Sequence, residues 1–245
     1  MRRFRDYDPF AWLYANYWGD SFHRAVVPVL ERVVLSELPP RAAVLDLCCG
    51  DGRLASALEQ SGFRVTGIDG SEKMLAFARQ RARKTRFLLA DARTFRLPPQ
   101  FDAVLSTFDS LNHVMKSTEL CKVFRNVWRC LKPGGVFLFD LNREEAYLQL
   151  WVRNDSDIER GMVGVSRGSY KAETRMAVCD ITLMRLEDGL WRRLDFQMRQ
   201  RWHPRDMVVE ALEALGFKTC VYDAGELGMQ GDVGYGRDFY RAHKP

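Results

Sequence analysis

Five short apolar runs, which alternate with helix-like segments, constrain the fold of this chain more than any other feature. The runs cover residues 42–47, 63–69, 86–91, 101–107 and 135–141. Short continuous apolar runs bounded by glycine are typical of strands that are buried on both faces. Strands that alternate with amphipathic helices form βαβ units, so the pattern predicts a mostly parallel sheet covered by helices.

The helix-like segments carry their own start and stop signals. Apolar residues recur at three- and four-residue steps over 120–131, and the sequence Lys-Pro-Gly-Gly at 132–135 then ends that helix. A second predicted helix follows Ser71, which is placed to act as its N-cap. Local signals and apolar periodicity therefore agree on the same elements.

The pattern changes after the fifth run. Residues 160–203 consist of β-branched and aromatic runs separated by glycine and aspartate turns, which predicts two or three antiparallel strands. The segment 187–189, Glu-Asp-Gly, is a predicted hairpin turn. A helix over 204–217 and two final apolar runs follow, so the strand count of the main sheet reaches seven.

The N-terminal part is rich in aromatic residues and reads as one or two helices that end before Pro39 and Pro40. We expect residues 1–38 to form a helical lid. No low-complexity linker divides the chain, so residues 1–245 are predicted to form a single domain with 160–203 as an insertion.

Composition excludes several classes of protein. The chain has 245 residues with 47% hydrophobic content, enough for one large core. Its net charge of +5 comes mostly from arginines spread along the chain rather than clustered, which is compatible with anionic ligands but does not by itself indicate a nucleic-acid partner, so none is expected. No apolar stretch approaches the roughly 18 residues of a membrane span, so a cytoplasmic location is expected. The six cysteines show no C-x-x-C spacing and predict free thiols without a bound metal ion.

A glycine-rich turn joins the first apolar run to the next helix. Gly50 and Gly52 stand where the backbone must turn tightly, and the helix start offers free amides to a ligand. Either glycine could equally well be an ordinary loop residue, so the turn alone does not identify a ligand site. The second and third runs end in Asp69 and Asp91, at the same edge of the predicted sheet. Each aspartate alone could be a helix cap, but together with the glycine turn they indicate an adenosine-containing ligand.

In sequence, these segments read DLCCGDG, VTGIDGSEKML, LLADAR, FDAVLSTFDSLNHV and LKPGGVFLFDLN. They resemble the successive motifs of class I S-adenosylmethionine-dependent methyltransferases, and in particular of bacterial small-molecule and amino-sugar N-methyltransferases. The resemblance implies an α/β, Rossmann-like, doubly wound and mostly parallel seven-stranded sheet flanked by helices. It also implies a small antiparallel β insertion after strand five, and S-adenosylmethionine as cofactor.

The resemblance assigns roles to individual residues. It implies Asp69 on the ribose, Asp91 on the adenine amine and the backbone of Ala92 on the adenine ring. Cys48 departs from the family pattern, because it stands where the first glycine is usual. Asp51 stands where threonine or serine is common, and it either faces the cofactor or caps the helix. The expected cofactor-binding residues are Asp46, Cys48, Gly50, Gly52, Asp69, Gly70, Met74, Asp91, Ala92, Thr107, Phe108 and Tyr17.

Methyl transfer from a sulfonium needs mainly alignment of the reactants and exclusion of water, so no obligatory catalytic side chain follows. We expect a small-molecule acceptor near residues 107–113, covered by the insertion 160–203. Asp109 and His113 are the candidates that orient the acceptor or take its proton, in N- or O-methylation. A structural role for His113, as a helix cap or a partly buried side chain, is the alternative.

Three other functions share parts of this pattern. An RNA or protein methyltransferase is the main alternative, although the chain lacks an Asn-Pro-Pro-Tyr motif. A nicotinamide-dependent dehydrogenase would not explain Asp91 or the segment LKPGG. A non-catalytic nucleotide-binding module on the same fold stays open. Neither the acceptor nor the oligomeric state follows from the sequence.

Overall fold

The computed structural model describes residues 7–245, and residues 1–6 of the predicted lid lie outside this range. A seven-stranded sheet forms the centre of the molecule, as predicted. Its strands are β1 (Ala43–Leu47), β2 (Arg64–Asp69), β3 (Arg86–Leu89), β4 (Phe101–Ser106), β5 (Leu131–Asn142), β10 (Lys218–Asp223) and β11 (Arg237–His243).

The strand order is β10-β11-β5-β4-β1-β2-β3. The pairs β1–β2, β2–β3, β1–β4 and β4–β5 are parallel, whereas β11 runs antiparallel to both β5 and β10. The order reverses at β1 and β4, where the chain continues to opposite sides of the sheet. Ligands bind outside the carboxyl ends of strands at such a switch point.

Helices cover both faces of this sheet. Ser71 caps α4 as predicted, because its hydroxyl accepts a hydrogen bond from the backbone N–H of Met74 at 3.2 Å. Pro28 lies inside a helix, which extends past it to Val33. The helices are α1 (Ala11–Leu13), α2 (Gly19–Val33), α3 (Arg53–Gln60), α4 (Glu72–Arg81), α5 (Ser117–Cys130), α6 (Glu144–Ala146) and α7 (Arg205–Glu213), with π turns at Tyr14–Trp18 and Tyr147–Trp151 and 3₁₀ turns at Leu35–Glu37 and Ser110–His113.

A second, four-stranded antiparallel sheet follows β5, in the order β6-β7-β8-β9. Asp188 and Gly189 form the predicted hairpin turn, both with positive φ. The sequence predicted two or three strands and missed the first of the four, because all its residues are exposed and polar side chains dominate them. The strands are β6 (Asn154–Glu159), β7 (Met162–Lys171), β8 (Met176–Glu187) and β9 (Leu190–Arg201).

The second sheet and the N-terminal segment pack on each other. Phe10 and Leu13 form a buried cluster with Met162, Ile181 and Leu183 from the inner face of the small sheet. This cluster also includes residues of α4, so the N-terminal segment and the small sheet both pack against a helix of the main sheet. The N-terminal segment and the small sheet therefore lie together over the carboxyl ends of the central strands.

Candidate active site

A cavity of about 420 Å³ opens at the carboxyl ends of β1, β2 and β4, beneath the N-terminal segment and the small sheet. This volume lies within the range of roughly 300–1,000 Å³ that small-molecule sites occupy. The predicted residues that line it are Asp46, Cys48, Gly50, Asp69, Gly70, Met74, Asp91, Ala92, Thr107, Phe108, Asp109 and His113. Gly52 and Tyr17 do not line it.

The turn after β1 has the geometry of a glycine loop despite its cysteine. Cys48 has φ of 61°, so it adopts the left-handed conformation that glycine would take at lower cost. Gly52, at φ of 76°, approaches α4 so closely that an added Cβ would lie 2.8 Å from the Cα of Ala78. Gly52 therefore acts in packing, behind the cavity wall that Gly50 lines.

Asp69 lies at the end of β2 with both carboxylate oxygens turned toward backbone amides. Oδ2 accepts from the N–H of Gly50 at 2.9 Å, and Oδ1 accepts from the N–H of Ser71 at 2.8 Å. Burial raises the pKa of Asp69 to about 6, while these amides favour its charged form. A carboxylate has about four acceptor positions, so Asp69 retains capacity to accept from a ligand hydroxyl.

Asp46 lies deeper in the cavity, at 2% exposure. Its Oδ2 atom is buried and has no hydrogen-bond partner among residues 7–245. Burial, with a contribution from the charge of Asp69, raises the pKa of Asp46 to about 8. A buried acceptor without a partner is costly, so this oxygen is suited to a cationic or hydrogen-bond-donating ligand.

Asp91 and Asp51 are both paired with arginines. Arg93 binds Asp91 with two nitrogens, at 2.9 and 2.6 Å. Partial burial opposes ionisation of Asp91, but the hydrogen bonds and charge of Arg93 outweigh it and hold the pKa below its usual value. Asp51 accepts from the guanidinium groups of Arg53 and Arg81, so it faces inward with its charge balanced.

Arg53 also connects the glycine loop to the N-terminal segment. One of its terminal nitrogens binds Asp51 at 2.9 Å and the other donates to the carbonyl of Ala15 at 2.8 Å. Arg53 lines the cavity, and its Nε is buried beside Gly19 and has no acceptor within the described part of the chain. This donor is suited to an anionic group, and sequence reasoning did not identify it.

The loop after β4 is held in an unusual backbone conformation. Phe108 and Asp109 have φ of 62° and 45°, a region that non-glycine residues occupy rarely. Asp140 on β5 accepts from the backbone N–H of Asp109 at 2.8 Å. Arg237 on β11 binds the carboxylates of Asp109 at 2.8 Å and of Asp140, and all three side chains are buried.

Gln200, from β9, completes this cluster. Its amide oxygen accepts from the hydroxyl of Tyr147 at 2.9 Å and from Asn142 at 3.3 Å. Its nitrogen donates to Asp109 and to Nε2 of His113, the latter at 2.9 Å. Every hydrogen-bonding position of this buried amide is thus occupied.

His113 is fixed on both sides. Nδ1 lies 2.7 Å from the carbonyl oxygen of Arg199, so it must carry the proton and donate it. Nε2 then accepts from Gln200 and has no free lone pair in this arrangement. Burial lowers the pKa of His113 to about 4. The predicted general base is therefore in the site but is a poor base as it stands.

Aromatic side chains form the cover. Tyr7 meets the edge of His113 at a ring separation of 4.9 Å, and Tyr14 lies over the glycine loop near Gly50. Trp18 donates to Asp157 of β6 at 2.8 Å, which links the two covering parts. Tyr17, predicted at the cofactor, packs on Trp12 instead, outside the cavity wall.

The small sheet reaches the cavity with side chains of β8 and β9. Its lining side chains include Cys179, Met198 and Gln200, whereas Trp191 is 54% exposed and lies away from the cavity. The β9 side chains that face the N-terminal segment and the cavity are Phe196, Met198 and Gln200, all at even-numbered positions. Strand alternation would have identified Gln200 once one inward residue was known.

Within the described residues, no helix is long and apolar enough to cross a membrane. The same part of the chain contains no group of three or more His, Cys, Asp or Glu side chains placed to hold a metal ion.

Comparison with known proteins agrees with this architecture. Residues 44–135 match the methyltransferase domain family. An uncharacterized methyltransferase of Synechocystis is 35% identical over 151 residues, which are 57% of this chain and 67% of that protein. The chain belongs to the class I S-adenosylmethionine-dependent methyltransferases.

Solved structures extend the similarity of this methyltransferase to its whole length. A S-adenosylmethionine-dependent methyltransferase from Clostridium acetobutylicum superposes with a TM-score of 0.81 at 22% identity, covering 97% of this chain and 98% of that one. The sugar N-methyltransferase KedS8 from Streptoalloteichus superposes with a TM-score of 0.78 at 24% identity, covering 95% and 91%. The fold that this methyltransferase shares with these structures therefore includes its N-terminal segment and its small sheet.

Proposed function

We propose that this methyltransferase transfers a methyl group to an amine nitrogen of a small-molecule acceptor. The observation that carries the proposal is the state of His113, whose two ring nitrogens are both engaged and whose pKa burial lowers to about 4. An amine that arrives uncharged needs no base, whereas a hydroxyl acceptor benefits from one. The name of the structurally similar sugar N-methyltransferase KedS8 supports the same choice.

The cofactor half of the site is formed by the residues on β1, β2 and the glycine loop. S-adenosylmethionine supplies a methyl group on a sulfonium centre. Asp69 would accept hydrogen bonds from the ribose hydroxyls, and Asp46 would pair with the ammonium group. The unpartnered Nε of Arg53 would donate to the carboxylate.

The remaining expected residues take positions around these. Asp91 and the backbone of Ala92 would face the adenine, beside Gly70 and Met74, although Arg93 already occupies part of the Asp91 carboxylate. Tyr14, which lies over Gly50, would contact the cofactor where the sequence placed Tyr17. Cys48, Thr107 and Phe108 would line the methionine side.

The acceptor half lies between the loop after β4 and the small sheet. Arg237 pairs with both Asp109 and Asp140, so Asp109 can orient an acceptor while it is already held by a cation. Tyr7 and Phe10 cover this half and exclude water from the reacting atoms. Because the cavity is covered on two sides, a small molecule fits it better than RNA or a folded protein. The free cysteines support a cytoplasmic location, which we also propose.

The first test concerns the cofactor. S-adenosylhomocysteine should raise the melting temperature of the methyltransferase, whereas NAD should have no effect. Stabilisation by NAD alone would refute the cofactor assignment.

The second test compares acceptors in matched pairs, each an amino sugar and the sugar with a hydroxyl at the same carbon. Formation of S-adenosylhomocysteine should be detected with the amine and not with the hydroxyl partner. The His113→Gln variant should keep its rate on the amine within about tenfold, because no base is lost. Exclusive methylation of hydroxyl acceptors, RNA or protein, or a loss of about 100-fold or more in His113→Gln, would contradict the proposal.

A further inference from the structure

Gln200 contacts His113 across the boundary between the small sheet and the loop after β4. Gln200 lies near the end of β9 and is 1% exposed, and His113 ends the 3₁₀ turn Ser110–His113. Both side chains line the acceptor half of the cavity. Two separate parts of the fold therefore meet at the ring that the sequence selects as a general base.

Four partners fix the orientation of the Gln200 amide. Its oxygen accepts from the hydroxyl of Tyr147 at 2.9 Å and from the amide of Asn142 at 3.3 Å. Its nitrogen donates to Asp109 and to His113. A flipped amide would place its oxygen against the carboxylate of Asp109 and its NH₂ group against the NH₂ group of Asn142. Both contacts are repulsive, so the nitrogen of Gln200 must be the atom that meets His113.

The ring of His113 has one possible neutral tautomer in this arrangement. Nδ1 lies 2.7 Å from the carbonyl oxygen of Arg199, which can only accept, so Nδ1 carries the proton. The lone pair of the ring is then on Nε2, where it accepts from Gln200 at 2.9 Å. A general base needs this lone pair for the proton of the acceptor. Gln200 therefore occupies the atom that would act as the base.

The other groups that face His113 set its pKa together with Gln200. Burial lowers the pKa of His113 to about 4, and the charge of Asp109, itself paired with Arg237, partly offsets this. Tyr7 packs on the ring at 4.9 Å and is uncharged, because burial raises its pKa. The amide of Gln200 acts in the same direction as burial, since a hydrogen bond donated to Nε2 favours the neutral ring. Its removal should raise the pKa of His113.

We propose that Gln200 is the positioning residue that restricts this methyltransferase to amine acceptors, because it engages Nε2 of His113. The inference rests on the proposed function and names the residue responsible for it. A hydroxyl group is a weak nucleophile until a base takes its proton, whereas an uncharged amine needs no base. With Gln200 in place, His113 cannot serve a hydroxyl acceptor.

Replacement of Gln200 by alanine would free the lone pair of Nε2 and the space beside it. The hydroxyl oxygen of an acceptor would then form a bond to the methyl carbon, while the carbon–sulfur bond breaks and its electron pair goes to sulfur. The hydroxyl proton would pass to Nε2 of His113, and the imidazolium would afterwards release it to water. Gln200→Ala is therefore expected to gain activity on hydroxyl acceptors.

Steady-state kinetics with the matched amino-sugar and sugar pairs measures this gain. Gln200→Ala should raise the ratio of kcat/KM for the hydroxyl acceptor to kcat/KM for the amine by about tenfold or more, because a general base contributes about 100-fold or more. The double variant Gln200→Ala/His113→Gln should return the ratio to the wild-type value. The matched control is Gln197→Ala, which should leave the ratio unchanged, because Gln197 is an exposed glutamine of the same strand that binds Asp180.

Failure of this inference and failure of the proposed function give different results. A wild type that methylates the hydroxyl acceptors as well as the amines contradicts the proposed function. A wild type that is specific for amines, with a Gln200→Ala variant that is equally specific, overturns only the role of Gln200. A gain that persists in the double variant also overturns it, since the base would not be His113.

Nitrogen NMR of the imidazole rings tests the contact without an acceptor. The chain has four histidines, so the signal that is missing in His113→Gln identifies His113. In the wild type near pH 7 this ring should be neutral and protonated on Nδ1. In Gln200→Ala its pKa should rise, and the hydroxyl activity should be lost as the pH falls through that pKa, because only the neutral ring is a base.

The wild-type spectrum needs no substitution at Gln200, so it tests the proposal even where a variant is unstable. A wild-type ring protonated on Nε2 would overturn the proposal, because Gln200 could not donate to it. A pKa of His113 that is the same in wild type and Gln200→Ala would overturn it as well. Circular dichroism and S-adenosylhomocysteine binding like those of the wild type would verify that each variant is folded.

Discussion

Two buried carboxylates, those of Asp109 and Asp140, lie beneath the loop after β4. Among the described residues, Arg237 is the only cation that contacts both, and its replacement by methionine removes that contact. Arg237 is 5% exposed and binds Asp109 at 2.8 Å as well as Asp140. Its guanidinium carbon also lies 4.9 Å from the ring centre of Phe22. Methionine retains much of the aliphatic volume, so the main change is the loss of charge and hydrogen bonds.

The expected loss is large because the partners cannot reach water. Breaking a buried ion pair by removal of one partner costs about 3–5 kcal/mol, since an uncompensated charge is left inside. Here two carboxylates lose the same partner. We therefore expect the free energy of unfolding of Arg237→Met to fall by about 3–5 kcal/mol near pH 8.

The loss should depend on pH. Burial already raises the pKa of Asp140 to about 6, although Arg237 opposes this shift, and without Arg237 the pKa rises further. A carboxyl whose pKa is higher in the folded state than in the unfolded state favours folding when it is protonated. The difference in the free energy of unfolding between wild type and Arg237→Met should therefore become smaller as the pH falls from about 8 to about 5.5.

Urea unfolding followed by tryptophan fluorescence measures both quantities. Arg241→Met is the matched control, because Arg241 lies on the same strand and pairs with the exposed Glu37. This control should lose less than about 1 kcal/mol. A deficit below about 1 kcal/mol for Arg237→Met at both pH values, or one that does not change with pH, would refute the reasoning.

Four further substitutions follow from the site. Asp69→Ala should weaken S-adenosylhomocysteine binding by about 1–3 kcal/mol in calorimetry, through loss of charge-assisted hydrogen bonds; unchanged binding would remove Asp69 from the site. The affinity of the wild type for the cofactor should fall by up to about tenfold per pH unit below about pH 8, because the ammonium group of the cofactor favours ionised Asp46. Asp46→Asn should abolish this pH dependence; if the dependence persists, a titrating group other than Asp46 causes it. Gln200→Leu should lower kcat/KM for the acceptor while cofactor affinity is retained, since it disturbs only the acceptor half; an equal loss in both would count against this division. Gly52→Ala should lower the free energy of unfolding by about 1–2 kcal/mol or more, because φ is 76° and the new Cβ meets Ala78; a stability equal to wild type in urea would contradict this.

The prediction from sequence was accurate where a residue and its signal are close together in the chain. The main strands, the N-cap Ser71 and the hairpin turn at Asp188 and Gly189 each depend on a few neighbouring residues. It was weaker where exposure removes the signal. β6 has no apolar alternation, because every one of its residues is exposed, and no strand was predicted there.

The turn after β1 lies between these cases. Its glycines and the resemblance to known methyltransferases predicted a ligand loop, but the consequence of Cys48 could not be read from the residue type. The structure gives Cys48 a positive φ, so the turn keeps its shape at the cost of some backbone strain. The packing role of Gly52 likewise depends on how closely α4 approaches.

The sequence by itself determined the alternating sheet, the glycine turn and the acidic strand ends, because local periodicity and turn chemistry specify each of them. Only the tertiary structure decided the acceptor half. Gln200 and Arg237 meet Asp109 from 91 and 128 residues away, and no local motif shows that either side chain reaches Asp109. Whether His113 can act as a base depends on these distant partners, since protonation and hydrogen bonding are set by whatever surrounds a side chain in space.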